Sequence, residues 1–314
     1  MSRMECVTDL SLAAPYAAGG SAVALGYFDG VHLGHQKVVG EAVRYAREKG
    51  LTPAVFTFTF SGVRTKGRDL YTESARRAAL RALGAALYAA PSFESFHNLS
   101  AEEFVEKVLH GVLHAKAVFC GENFRFGHAA QGDTALLKVL CARLGIAVFI
   151  CGTAYYQGAP VSSTRIRAAL SEGDMPLVNA LLGRPYEISF PVVHGKKLGR
   201  TLGFPTINQI YPEGMHTPKY GIYITGVVLE GEERPAATGF GERPTVNGQG
   251  ATCETFIPGY EGDLYDEAPV IRFYEYIAPS KKFDTLEELK NCVFEAAKAA
   301  QEYFKKRNSQ GPFV

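Results

Sequence analysis

Apolar positions divide the chain into two halves with different periods. In the first half, short continuous apolar runs alternate with stretches whose apolar residues recur at helical spacing. Ser21-Ala-Val-Ala-Leu25, Ala54-Val-Phe-Thr-Phe58, Ala117-Val-Phe-Cys120 and Ile146-Ala-Val-Phe-Ile150 read as buried strands, and Ala85 to Ala89 as a weaker one. Between them, Gln36 to Lys49, Glu73 to Leu83, Ser100 to Val112 and Thr134 to Leu144 read as helices, with Ser100 and Glu103 as a capping box. Strands alternating with helices predict an α/β fold, a parallel sheet covered on both faces that takes ligands at the carboxyl ends of its strands.

Met175 to Leu182 is a short helical stretch stopped by Gly183 and Pro185, and the domain boundary is placed there, giving domains 1–182 and 183–314. From Glu187 onward the period changes to two. Tyr220 to Leu229 and Val270 to Ile277 are rich in aromatic and β-branched residues and are bounded by turn residues, which predicts a small antiparallel β-barrel. The segment from Thr285 to Lys305 carries one apolar stripe, Leu286, Leu289, Val293, Ala297, Ala300 and Phe304, expected to lie against that barrel as a terminal helix.

Composition narrows the function classes. The 314 residues are 46% hydrophobic and 21% charged, with 33 basic against 32 acidic side chains, so no nucleic-acid or membrane surface is indicated and small molecules are the expected partners. Six scattered cysteines without a Cys-x-x-Cys pair argue against a zinc site or a disulfide framework. No basic leader with an apolar core and no apolar run of membrane-spanning length is found, so a cytoplasmic location is expected, as a monomer or weak homo-oligomer.

Candidate chemistry concentrates where a strand meets a helix, at Gly26-Tyr-Phe-Asp-Gly-Val-His-Leu-Gly-His35. Gly26, Gly30 and Gly34 permit a sharp turn and close approach of a ligand, and the helix entrance faces the same space with free N–H groups, which makes a phosphate site. His32 and His35 are placed to donate to phosphate oxygens, and no further ligands at metal spacing accompany them. Gly121-Glu-Asn-Phe-Arg-Phe-Gly127 should reach the same rim of the sheet. Ser162-Ser-Thr-Arg-Ile-Arg167 joins helix-opening hydroxyls to guanidinium groups, a grip for a triphosphate. In the second half, Gly195-Lys-Lys-Leu-Gly-Arg-Thr-Leu-Gly-Phe-Pro-Thr-Ile-Asn208 sets Gly195, Gly199 and Gly203 among Lys196, Lys197 and Arg200. That pattern suits either phosphate wrapping or a glycine-rich hairpin with solvated lysines, and it is not a P-loop.

Two independent sets of these motifs, in order along nearly the whole chain, resemble the bacterial bifunctional riboflavin kinase/FAD synthetase family. The first half, with its His-x-Gly-His turn preceded by Phe28-Asp29-Gly30, resembles a Rossmann-like nucleotidylyltransferase domain, which joins FMN and ATP into FAD and pyrophosphate. The resemblance implies charge stabilisation by His32 and His35 and nucleotide contacts at Gly26, Phe28, Asp29, Gly30, Gly34, Ser163, Thr164, Arg165 and Arg167. It also implies flavin contacts at Asn123, Phe124 and Arg125. The second half resembles riboflavin kinase, which phosphorylates riboflavin from ATP. There the resemblance implies nucleotide contacts at Gly195, Lys196, Gly199, Gly203, Thr206 and Asn208, magnesium on Thr206 and Asn208, and Glu254 as catalytic glutamate.

The chain departs from the family at two places. The Phe-x-Pro-His-Pro segment that usually shapes the flavin pocket is replaced by Phe58-Thr-Phe-Ser-Gly-Val-Arg-Thr-Lys66, and Ala278 stands where an arginine is usual. The alternatives are an enzyme retaining one of the two activities and a flavin-binding or regulatory protein without turnover.

Overall fold

The computed structural model describes residues 4–60, 67–195, 203–245, 248–280 and 284–310. The chain forms two compact units, Met1–Ser163 and Thr164–Val314.

The first unit is built on a six-stranded sheet of β1 (Glu5–Val7), β2 (Ser21–Leu25), β3 (Thr52–Phe56), β4 (Leu87–Ala89), β5 (Ala115–Gly121) and β6 (Ala147–Cys151). Their order is β1-β4-β3-β2-β5-β6 and every pairing is parallel. From β2 the chain moves first toward β3 and β4 and later returns to β5 on the other side, so the carboxyl end of β2 lies at the topological switch point. Every residue of β2 is buried, as expected of a central parallel strand. The helices are α1 (Ala14–Ala17), α2 (Leu33–Lys49), α3 (Glu73–Ala82), α4 from Ala101, and α5 (Thr134–Arg143). One apolar cluster on each side of the sheet completes the three layers.

Two features depart from the helix and strand pattern of the sequence. β1 is an edge strand of three residues, too short to show a period. The Ser100 capping box forms as expected, but after Glu103 the helix continues as a π-helix over Phe104–Val112, whose wider turn still buries Phe104, Val105, Val108 and Leu109. A two-stranded ribbon follows the sheet, β7 (Tyr155–Tyr156) with β8 (Ala159–Pro160).

Helices α6 (Ser163–Glu172) and α7 (Met175–Leu182) come next, and Gly183 ends α7 in the left-handed conformation that the glycine stop anticipates. The second unit's sheet comprises β9 (Tyr186–Ser189), β10 (Val192–Val193), β11 (Thr206–Ile210), β12 (Gly221–Leu229), β13 (Glu232–Thr245), β14 (Gly248–Phe256) and β15 (Val270–Pro279). They pair antiparallel in the order β10-β11-β14-β13-β12-β15-β9. The two outermost strands are consecutive in the chain, joined by Phe190 and Pro191, so the curled sheet is drawn together at its seam. Gln209, fully buried, ties that seam by donating from its amide to the carbonyls of Phe190 and Pro269.

Helix α8 (Leu286–Gln310) covers one face of this sheet. Ala296 and Ala297 pack with Ala237 and Phe256, while Ala300 and Phe304 pack with Ile224 and Tyr274. The expected stripe holds from Leu289 to Phe304 but not at Leu286, which is 56% exposed in the first turn.

Candidate functional site

The turn between β2 and α2 is held from several directions. The Gly26 amide bonds the Phe56 carbonyl at 3.2 Å, and the buried Asp29 carboxylate accepts the Leu70 amide at 2.8 Å. Ser163, at the start of α6, donates its hydroxyl to the Asp29 carbonyl at 2.9 Å, so the Ser162–Arg167 motif begins on the glycine turn. Thr164 is exposed there, and Arg165 and Arg167 are half-buried. Three residues of this turn have positive φ: Phe28 at 57°, Gly30 at 83° and Val31 at 42°. For a β-branched residue such as Val31 that conformation is costly and persists only where the surroundings enforce it, as at ligand-binding turns.

The two histidines meet as a stacked pair, ring centroids 3.7 Å apart. His32, only 6% exposed, caps the helix through Nδ1, which accepts the His35 amide at 3.4 Å. With Nδ1 used as an acceptor, the proton of the neutral ring lies on Nε2. A Cβ at Gly34 would stand 3.2 Å from the His32 ring, so any side chain there would press on the capping imidazole. Burial, followed by the neighbouring charges of His32 and Arg76, holds the His35 imidazole well below its ordinary pKa, so this ring is neutral at physiological pH. Phe28, 1% exposed, packs edge-on against His35 at 5.3 Å, so its side chain, like the Asp29 carboxylate, shapes the turn.

Beyond β5, Asn123 and Arg125 are exposed and Phe124 is half-buried, stacked with Phe126 at 5.8 Å. Arg125 lies 4.0 Å from Asp133. The chain leaving β3 enters an aromatic cluster in which Phe58 meets Tyr27 at 5.1 Å and Phe93 at 5.2 Å, and Phe60 meets Phe93 at 5.1 Å. The remainder of the altered segment, 61–66, lies outside the described residues.

In the second unit, register brings distant residues together. Asn208 on β11 stands directly opposite Glu254 on β14, and Glu254 is in turn opposite Gly239 on β13. Directly opposed residues share a face with their Cβ atoms about 5 Å apart, and Thr206, two residues from Asn208, projects to that face as well. Gly239 and Gly241 leave the sheet bare beside Glu254, since a Cβ added at either meets nothing closer than 3.9 Å. Gly195 approaches so closely that a Cβ would stand 2.7 Å from the Asn208 amide nitrogen. That amide donates to the Thr206 carbonyl at 3.3 Å, which leaves the Asn208 side-chain oxygen directed elsewhere. Gly203 is described and exposed, whereas Lys196 and Gly199 lie outside the described residues. The oxygens of Thr206, Asn208 and Glu254 form a hard donor set suited to magnesium and phosphate.

Sequence reasoning missed Arg76 and the paired glycines Gly239 and Gly241. Arg76 had a local signal, since it falls four residues before Leu80 on the buried face of α3. The bare glycine strip had none, because it depends on which strand lies beside β14.

Comparison with known proteins agrees with this division. The FAD synthetase family model matches residues 15–165 and the riboflavin kinase family model matches residues 182–304. A Listeria monocytogenes protein named bifunctional riboflavin kinase/FMN adenylyltransferase is 34% identical over 276 residues, covering 85% of this chain and 87% of its own. A Bacillus subtilis protein of the same name is 34% identical over 295 residues, covering 90% and 92%. A solved Streptococcus pneumoniae structure described as a macrolide-efflux protein superposes with a TM-score of 0.83 at 25% identity, over 96% of this chain and 99% of that one. Among the described residues, no helix is long and apolar enough to cross a membrane.

Proposed function

Because the chain belongs to the bifunctional riboflavin kinase/FMN adenylyltransferase family, we propose that its two described sites divide the synthesis of FAD between them. The chain phosphorylates riboflavin with ATP to FMN and transfers AMP from a second ATP to FMN, releasing pyrophosphate. The functional boundary is set between residues 182 and 183, supported by the Gly183 stop and by the start of the second family match.

In the adenylyl-transfer site, an FMN phosphate oxygen attacks the α-phosphorus of ATP as the bond to pyrophosphate breaks. His32 and His35 donate from Nε2 to the phosphate oxygens where charge accumulates, and the rigid turn presents α2 backbone N–H groups to the same oxygens. Ser163, Thr164, Arg165 and Arg167 grip the polyphosphate, and Asn123, Phe124 and Arg125 contact the flavin. The observation that supports this reading most directly is the stacked, helix-capping histidine pair at the switch point.

In the kinase site, Glu254 accepts the proton of the ribityl 5′-hydroxyl as that oxygen bonds to the γ-phosphorus and ADP departs. Thr206 and Asn208 hold the nucleotide and magnesium, with Gly195, Lys196, Gly199 and Gly203 in the phosphate loop. Magnesium, when bound, supplies neutralising charge to the phosphates. The reading is supported by the opposition of Asn208 and Glu254 beside a bare glycine strip.

The deciding experiment incubates the pure protein with Mg-ATP and either riboflavin or FMN and separates the products by chromatography. FMN from the first mixture and FAD plus pyrophosphate from the second are expected. Absence of FAD with FMN supplied directly would defeat the adenylyltransferase assignment while leaving the kinase standing.

A further inference from the structure

The chain leaving β3 carries phenylalanine at every second position, Phe56, Phe58 and Phe60, so in an extended backbone their rings fall on one face. The backbone there is extended and fixed. The Thr57 amide bonds the Ala89 carbonyl at 2.9 Å, the Thr59 amide bonds the Pro91 carbonyl at 3.0 Å, and the Phe93 amide bonds the Thr59 carbonyl at 2.8 Å. The exits of β3 and β4 therefore stay paired in parallel as far as Thr59 and Ser92. On this support the three rings climb out of the core. Phe56 is buried against Phe96 and Phe104, Phe58 is half-buried, and Phe60 is 36% exposed. Phe93 backs the two outer rings, 5.2 Å from Phe58 and 5.1 Å from Phe60.

This shelf is joined to the histidine turn through Tyr27, whose ring lies 5.1 Å from Phe58 and 5.9 Å from Phe60. Tyr27 is held in turn: its hydroxyl donates to Asp69 at 3.0 Å, and its carbonyl accepts the Thr57 hydroxyl at 3.0 Å and Nη1 of Arg76 at 3.2 Å. Phe56, Phe96 and Phe104 belong to the apolar cluster on one side of the sheet, whereas Phe28 and the buried residues of α2 belong to the other. A molecule with its phosphate at the entrance of α2 and its ring on the shelf would therefore lie across the carboxyl edge of the sheet, at the switch point. Single exposed apolar residues are commonplace, but rings gathered beside a site are a binding surface. The shelf offers no hydrogen-bonding side chain. That suits the benzenoid end of isoalloxazine, which carries two methyl groups and no polar atom. Adenine has ring nitrogens around its edge, which phenyl groups leave without partners.

We propose that Phe60, backed by Phe58 and Phe93, is the specificity-determining platform for the dimethylbenzene end of FMN in adenylyl transfer. The ribityl phosphate then runs past Tyr27 to the histidines. The inference rests on the adenylyltransferase reading above and names how its acceptor is chosen, and its test includes a readout that does not require turnover.

The chain contains no tryptophan, so Phe60→Trp places a single indole on the shelf. An indole in contact with isoalloxazine quenches flavin emission, and FMN bound to this variant should lose most of the emission that it keeps on the wild-type protein. Phe149→Trp, at an exposed ring on the edge strand β6, should leave the emission unchanged. FMN held in the kinase site contributes equally to all three proteins. In FAD formation, Phe60→Ala should raise KM for FMN about tenfold, as loss of a stacking ring does, with kcat near wild type and riboflavin phosphorylation unaffected. FMN lacking the two methyl groups should show a comparable rise with the wild-type protein and no further rise with Phe60→Ala, because the contact it would lose is already gone. Equal emission from Phe60→Trp and wild type, quenching as strong in Phe149→Trp, or an unchanged KM for FMN in Phe60→Ala would overturn the proposal. So would a rise in KM for ATP in place of FMN, which would give the shelf to adenine. If Phe60→Ala does not fold, the tryptophan variants and the demethylated substrate with wild-type protein still decide. Quenching by Phe60→Trp in a chain that makes no FAD would reject the functional reading and not the platform.

Discussion

His32 and His35 sit three residues apart and stack on each other, His32 further fixed by accepting the His35 amide and His35 by the edge of the Phe28 ring. Replacing either with glutamine should lower FAD formation from FMN by roughly 10²–10³-fold, as loss of a charge-stabilising donor does, without changing riboflavin phosphorylation. Glu254→Gln should reverse the pattern, reducing phosphorylation by about 10²–10⁴-fold and sparing adenylyl transfer. Product chromatography from the two half-reactions checks both. The neutral state of His35 also enters stability. Because its folded pKa is depressed, the unfolded chain binds the extra proton first as pH falls below about 6.5, and stability is lost from there down to the folded value. Calorimetry should therefore show the first unit losing stability below that pH, and the loss should be smaller in His35→Gln. The histidine motif was legible in the sequence because its parts are local. Its electrostatics were not, since the burial that chiefly depresses the His35 pKa comes from tertiary packing, and the smaller contribution of Arg76 arrives on α3, about forty residues later.

At the scale of elements, the same distinction separates what the sequence disclosed from what it hid. The capping box at Ser100 and the glycine stop at Gly183 act within a few residues and were readable directly. The opposition of Asn208 and Glu254 is a matter of strand register across more than forty residues, which no local pattern encodes. Only the family resemblance pointed to that glutamate. Long-range polar ties carry comparable weight. Asn179, buried on α7, donates to the Phe273 carbonyl of β15 at 2.9 Å and accepts the Tyr186 amide of β9 at 2.7 Å. Asn179→Leu leaves two buried backbone groups unpaired and should cost on the order of 1–3 kcal/mol for each, measured by denaturant unfolding followed in the second unit. Thr225, Thr238 and Thr255 form a buried hydroxyl chain across β12, β13 and β14, with 2.8 Å links ending on the Ala236 carbonyl. A carbonyl only accepts, so Thr225 donates to it and the chain runs from Thr255 inward. Thr238→Val, which removes an acceptor and a donor together, should therefore destabilise more than Thr255→Val.

Across the whole molecule, burial is what separates one cysteine thiol from another. Burial pushes the Cys120 thiol up to about 12 and Cys141 up to about 11, and Cys253 is raised as well by burial and by Glu254. Of the six, only Cys6 is exposed, with Cys292 half-buried. A thiol reagent should label Cys6 quickly, Cys292 more slowly and the other four only on unfolding. The scattered spacing of these residues, with no Cys-x-x-Cys pair, argued against a disulfide framework from the sequence alone.

The pairing of β9 with β15 bears on how the protein is made. All six strands of the first sheet lie within residues 5–151, so that sheet has every partner it needs before half the chain has left the ribosome. β9 emerges next, but the strand it bonds does not begin until Val270. The earliest strand of the second sheet must therefore wait, unpaired, for the last. Translation-arrested chains ending near residue 260 should already resist protease over the first sheet and remain fully cleavable after Gly183.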